Sequence, residues 1–310
     1  MVEAVRMKNL LIPALLILGS CSAEVTRTHV PEQGTQVVQA NGLTFHTFEY
    51  GDASQPLVLL LHGFPDTAHT WDAIGPELAE AGYHVVAPFM RGYTPTEIPT
   101  EDVDPQTLGQ DVLELMDAYN AESAIIVGHD WGAYAAYSAA FQAPDRVRHL
   151  VTIAIPPPGT LSPSLSLAWS GRHFAYLNKN YAVRYMQRND FQHVDALYTR
   201  WAPEWDVQDA ELEPVKNAFA VEESLNAALG YYRGIGTSEP EFMLGNLTMP
   251  VLLVGGTTDL IPQTVFTEDS LPRFVGHSRV EMLDAGHFTH REAHRAFVDI
   301  LLEELGRPGE

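Results

Sequence analysis

From residue 35 onward the apolar positions fall in short blocks whose period changes along the chain. "TQVVQANGLTFHTFEYGD" gives two extended runs about Asn41-Gly42, and an Asn-Gly pair between such runs predicts a tight hairpin. "PLVLLLHG" (Pro56 to Gly63) is almost wholly apolar and ends in glycine, as expected of a strand covered on both faces. "TWDAIGPELAEAG" then has a helical period and stops at Gly82. "YHVVAP", "SAIIVG" and "VRHLVTIAIP" read as further buried strands. "LGQDVLELMDAYN" and "WGAYAAYSAAFQAP" read as the helices between them, the second ending before Pro144. Strand and helix in alternation predict an α/β sandwich around a mostly parallel sheet.

The rhythm stops at "PPPG" (Pro156 to Gly159). Residues 157–245 are rich in aromatics and helical in period, with no clear buried strand. "MPVLLVGGTTD" resumes the strand pattern, "TVFTEDSL" looks helical, "SRVEMLDAGH" looks like strand and loop, and "HREAHRAFVDILLEEL" closes as a helix. The layout expected is an α/β core in two parts, 24–156 and 246–310, with a helical cap at 157–245 inserted between them.

The leading segment, 1–23, reads differently. Arg6 and Lys8 precede an apolar run from Leu10 to Leu18, and small residues follow. That is the layout of an export signal, and the run is too short to span a bilayer. "LGSC" (Leu18 to Cys21) resembles a bacterial lipoprotein box, with Cys21 as the lipidated residue and a membrane-anchored or periplasmic product. Cleavage after Ala23, giving a secreted or periplasmic protein, is the competing expectation. Cys21 is the only cysteine, so no disulfide can form within the chain and the core must hold the fold.

The formal net charge is −22, from 18 basic and 40 acidic residues. Such a surface repels phosphate backbones and argues against nucleic-acid partners.

In open parallel sheets the working groups gather at the carboxyl ends of strands. Four such ends carry polar residues: "HGFP" (His62 to Pro65), "GHDWG" (Gly128 to Gly132), "GGTTD" ending at Asp259, and "DAGH" ending at His287. Asp130, Asp259 and His287 thus follow the chain order nucleophile, acid, histidine. Asp130 takes the place a serine holds in many hydrolases. A serine there needs a base to become nucleophilic, whereas a carboxylate with pKa near ~4 is already anionic. Attack on an acyl carbon would give an unstable mixed anhydride. Attack on a saturated carbon gives an ordinary alkyl ester, so the acidic centre selects for electrophilic sp³ carbon. The structural alternative is a helix N-cap before "WGAYAAYSAAF".

With these motifs in place, the chain resembles α/β-hydrolase-fold proteins of the epoxide hydrolase and haloalkane dehalogenase group, over roughly residues 35–306. The resemblance implies a covalent ester on Asp130, released by water that His287 activates with Asp259 behind it. It implies an oxyanion hole from the backbone N–H groups of Phe64 and Trp131, and a cis Phe64–Pro65 peptide. It also implies phenols in the cap that protonate an epoxide oxygen. Tyr232, before Arg233, matches the second of these, and Tyr185, before "MQ", the first; Tyr181 and Tyr231 are the neighbouring alternatives. Related dehalogenases instead pair a tryptophan like Trp131 with a second donor. The usual asparagine position is Phe64 here, but Trp169, Trp201 and Trp205 all lie in the cap segment. Phe89, in "APFMRGY", stands where epoxide hydrolases commonly carry an aspartate.

His287, His290 and His294 lack convincing metal spacing, and the last two read as solvated helix histidines. No cofactor is expected. The expected reaction is epoxide plus water to vicinal diol, with an apolar small molecule and water as the partners and no expectation for oligomeric state. The alternatives are haloalkane dehalogenation by the same triad and a non-catalytic hydrolase-fold binding protein.

Overall fold

The computed structural model describes residues 34–101, 103–161, 169, 171–235 and 239–306. The segment read as an export signal, with Cys21, lies outside them. The first hairpin forms as its sequence predicts. β1 (Gln36–Ala40) and β2 (Leu43–Tyr50) pair antiparallel, and Asn41 and Gly42 turn the chain with φ of 43° and 73°. Then come β3 (Leu57–Leu61), α1 (Ile74–Glu80), β4 (His84–Pro88), α2 (Pro105–Ala118), β5 (Ala124–His129), α3 (Trp131–Gln142) and β6 (Val147–Ile153). The helical signal at "TWDAIGPELAEAG" resolves into a short 3₁₀ turn, Ala68–Trp71, and the seven-residue α1.

The sheet has eight strands in the order β1-β2-β4-β3-β5-β6-β7-β8, with β7 at Val251–Gly256 and β8 at Ser278–Leu283. β1–β2 and β2–β4 are antiparallel, and every other pair is parallel. β3, β5 and β7 are buried along their whole length, which explains why they read as apolar runs rather than alternating ones. The carboxyl ends of β5 and β7, and the loop after β8, open onto one edge of the sheet.

Between β6 and β7 the described residues form helices and no strand beyond a single bridge from Leu247 to Phe274. Those helices are α4 (Phe174–Leu177), α5 (Ala182–Trp201), α6 (Asp209–Ala220) and α7 (Glu222–Gly234). α5 is broken inside: Arg188 is extended, and Asn189, Asp190 and Phe191 have φ of 50°, 53° and 61°. α8 (Thr289–Glu292) and α9 (His294–Leu305) close the chain, so the expected final helix is interrupted at Ala293. "TVFTEDSL" forms a single π turn, Val265–Asp269. No helix among the described residues is long and apolar enough to cross a membrane.

Candidate active site

Asp130 sits between β5 and α3 with φ 51° and ψ −119°, outside the regions a non-glycine residue normally occupies. Such a conformation costs about 1–3 kcal/mol and persists only where the surroundings enforce it. Here they do so through the flanking glycines. A Cβ on Gly132 would stand 2.2 Å from the Leu61 carbonyl oxygen, and one on Gly128 would stand 2.3 Å from that of Gly132. The helix therefore starts pressed against β3 and β5, and the Asp130 side chain is carried to the sheet edge. The side chain does not cap α3, so the N-cap alternative fails.

The carboxylate is held at both oxygens. The Phe64 N–H donates to Asp130 Oδ1 at 2.8 Å, and Asp130 Oδ2 lies 3.4 Å from His287 Nε2. The Phe64–Pro65 peptide is cis. Trp131 opens α3, so its amide belongs to the first helical turn, where N–H groups have no carbonyl within the helix to bond. Of the two amides expected to form an oxyanion hole, that of Phe64 bonds this carboxylate, and that of Trp131 follows Asp130 in the chain.

His287 Nδ1 faces Asp259, at 3.1 Å from Oδ1 and 3.2 Å from Oδ2. Asp259 follows β7, and its side chain is fully buried. Four bonds fix the His287 loop. The His287 N–H donates to the Trp201 carbonyl at 2.8 Å, and His129 Nε2–H donates to the His287 carbonyl at 3.0 Å. Glu292 accepts from the amides of Gly286 and Phe288 at 2.7 and 2.9 Å.

Burial opposes a charge on His287, but the carboxylates of Asp259 and Asp130 outweigh it and push the imidazole up to about 10. Asp130 is held below the usual carboxylate range. Its burial works the other way and is overcome by the bond and charge of His287, with Phe64 adding to the effect. The resting pair is therefore carboxylate and imidazolium. The sign of the coupling gives a test: Asp130→Asn removes one of the two anions that favour the imidazolium, so His287 should titrate below its wild-type position. Following its imidazole Cε1–H by NMR checks this, and an unmoved titration would break the coupling.

A cavity of about 190 Å³ opens over this pair. Asp130, Trp131, His173, Trp201, Tyr232 and His287 line its deep side. Tyr232 is buried, its ring 5.2 Å from those of both Phe64 and Trp131. Burial, with the Asp130 charge adding to it, raises this phenol well above its usual value, so it keeps its proton at neutral pH.

The structure corrects the other cap tyrosine. Tyr185 is 37 % exposed, does not line the cavity, and packs on His193 and Tyr176 at 4.5 and 5.7 Å. It stands in the first part of α5, before the positive-φ break at Asn189–Phe191. Neither near neighbour replaces Tyr185 or Tyr232: Tyr181 is exposed, and the Tyr231 hydroxyl donates to the Arg91 carbonyl at 2.9 Å.

The residue beside Tyr232 that sequence reasoning missed is His173. Its ring centroid lies 5.8 Å from that of Tyr232. Arg200 Nη2 stands 3.3 Å from His173 Nδ1, and arginine can only donate. Nδ1 is then the acceptor, and the imidazole proton sits on Nε2. No period or motif marks His173 in "SGRHFAY"; only the fold places it.

Of the cap tryptophans, Trp201 lines the cavity, with its ring 5.1 Å from His287. Its buried indole N–H has no protein partner among the described residues. Trp169 is exposed, and Trp205 packs beneath Arg291. Phe89 packs against Phe48 and His69, away from the cavity lining. The expected solvated histidines also need correction. His290 is fully buried, with Nε2 2.6 Å from Thr70 Oγ1, while His294 meets Glu77 at 2.7 Å. The three histidines thus go to three separate partners.

A carboxylate on a strand-to-helix elbow, an imidazole and a second carboxylate at the edge of a mostly parallel sheet define a hydrolase-type site. The family comparison agrees: residues 56–293 match the model of the alpha/beta hydrolase fold, and the chain belongs to that family. The chain is 27 % identical over 287 residues to the AB hydrolase superfamily protein YfhM of Bacillus subtilis, covering 87 % of this chain and 97 % of that one. It is 40 % identical over 123 residues to Epoxide hydrolase A of Mycobacterium tuberculosis, a stretch that spans 38 % of that enzyme and 39 % of this chain. The crystal structure of Epoxide Hydrolase A from Mycobacterium thermoresistibile superposes with a TM-score of 0.76 at 25 % identity, covering 91 % of this chain and all of that one.

Proposed function

We propose that this α/β-hydrolase opens epoxides to vicinal diols through an alkyl ester on Asp130. The observation that carries the reading is a carboxylate, not a hydroxyl, at the elbow, with protonated donors across the cavity from it. Asp130 Oδ2 attacks an epoxide carbon and the ring C–O bond breaks. Tyr232 gives its proton to the departing oxygen, and His173 Nε2–H donates a hydrogen bond to it. The ester carries no charge, so one of the two anions that held His287 up is gone. The imidazolium then yields its proton, which returns through water to the Tyr232 phenolate, and neutral His287 can act as base.

Water loses a proton to His287 and adds to Asp130 Cγ. The charge that forms on Oδ1 meets the Phe64 N–H already aimed there, with Trp131 N–H as the second donor; one such donor is worth about 10² to 10³ in rate. Collapse expels the alkyl oxygen, which takes the proton from His287. Asp130, left as the acid, passes its own proton to His287 and the resting pair is restored. Atoms and charge balance as epoxide plus water giving diol.

Diol release from a panel of epoxides tests the reading. Within it, Tyr232→Phe should lower kcat about 10²-fold or more, a general-acid effect. His173→Phe should lower it less, since a hydrogen bond and not a proton is lost. Equal, negligible effects of both would remove the ring-opening pair from the mechanism.

One observation favours a second reading. The unpartnered Trp201 indole N–H beside the nucleophile suits a halide leaving group, which wants donors and no proton. Halide release from chloroalkanes or bromoalkanes, without diol from epoxides, would establish dehalogenation instead.

A further inference from the structure

The less buried side of the cavity carries an ionisable group that the chemistry above does not use. Glu239 lines it together with Leu161, Ile235 and Leu260, and all four are partly or largely exposed. Tyr134 Oη donates to Glu239 Oε2 at 2.7 Å. Tyr134 itself lies one helical turn from the nucleophile, its N–H on the Asp130 carbonyl at 3.1 Å and its ring 5.7 Å from that of Trp131. The carboxylate is thus tethered by a single tyrosine to the turn that bears Asp130. A carboxylate can accept about four hydrogen bonds, and this contact uses one.

No lysine or arginine is among the described residues that line the cavity. The Arg273 guanidinium keeps its charge and feels that of Glu239, but it lies outside the lining, and its N–H groups point to the carbonyls of Pro158, Met243 and Gly245. In the resting site one imidazolium stands against Asp130 and Asp259, and Glu239 adds a third carboxylate. A substrate arm whose anion reaches this side of the cavity would meet the Glu239 carboxylate with no cation among the described lining residues between them, and like charges repel.

We propose that Glu239 sets substrate class. It turns away epoxides whose arm ends in a carboxylate and favours neutral ones, above all those ending in a hydroxyl or ammonium that can donate to it. This inference rests on the epoxide reading.

The test uses the full enzyme and three epoxides of matched length ending in methyl, hydroxymethyl or carboxylate. In wild type kcat/KM for the carboxylate should fall at least about ten-fold below that for the methyl compound, and the hydroxymethyl compound should match or exceed it. In Glu239→Gln the carboxylate-to-methyl ratio should rise about ten-fold, while Glu239→Asp should keep it low. The ratio is internal to each preparation, so partial loss of folded protein cancels. Added salt should raise it in wild type without any substitution. A carboxylate epoxide opened as fast as the methyl one, or a ratio that ignores both salt and Glu239→Gln, overturns this inference alone. No diol from any of the three overturns the epoxide reading and the inference with it.

Discussion

Asp130→Ala is expected to end diol formation, with a loss on the order of 10⁴ or more in kcat/KM, and to leave the protein folded. The loss is large because no other carboxylate among the described residues that line the cavity can take the nucleophile's place. Asp259 is fully buried behind His287, and Glu239 lies on the outer wall. The fold should survive because the elbow is imposed from outside. Gly128 and Gly132 let α3 press on β3 and β5 whatever side chain stands between them. Alanine keeps the positive φ and its strain, but it removes a buried charge that His287, His129 and the Phe64 amide compensate. Thermal unfolding and circular dichroism, run beside the diol assay, separate the two effects. Turnover within a hundred-fold of wild type in the folded variant would rule out a covalent ester at this position.

The parts of this site that could be read from sequence are those that the sheet dictates. β3, β5 and β7 are covered on both faces, so their apolar runs announce strands, and the polar residues after them must lie along one edge. Asp130, Asp259 and His287 came into view that way, as did "HGFP". The cap obeys a weaker rule. A helical period tells that a segment is helical, but not which face meets the cavity. Tyr232 and Tyr185 both lie on cap helices, yet one lines the cavity and the other packs on His193 and Tyr176, partly exposed. His173 carries no local signal, and its tautomer depends on Arg200, 27 residues further on. His290 fails for the same reason. In "HREAHRAF" it looks like a surface residue, but its partner is Thr70, 220 residues away. Long-range packing decides these positions, and it leaves no trace in the periodicity.

The second large effect separates the two halves of the reaction. His287→Gln should still open the epoxide, because a carboxylate needs no base to attack saturated carbon, but it should fail to release the product. Glutamine can fill part of the space and hydrogen-bond, but it cannot take a proton from water at neutral pH. Steady-state turnover should fall on the order of 10⁴ or more. The chain should gain the mass of one epoxide, on the peptide that contains Asp130. The pH dependence of that gain has a definite sign. His287 supplies most of what holds Asp130 below the usual carboxylate range, against its burial. With the imidazolium gone, burial prevails, the Asp130 pKa rises, and the anionic fraction at a given pH falls. Adduct formation should therefore speed up as pH rises through the new, higher pKa, whereas in wild type Asp130 is already ionised well below neutrality. Intact-protein mass spectrometry over a pH series reads both the adduct and its rate. With an epoxide that wild type converts, a variant that gains no mass at any pH, or one that sheds diol at the wild-type rate, would show that water reaches the substrate directly and that no ester on Asp130 lies on the path.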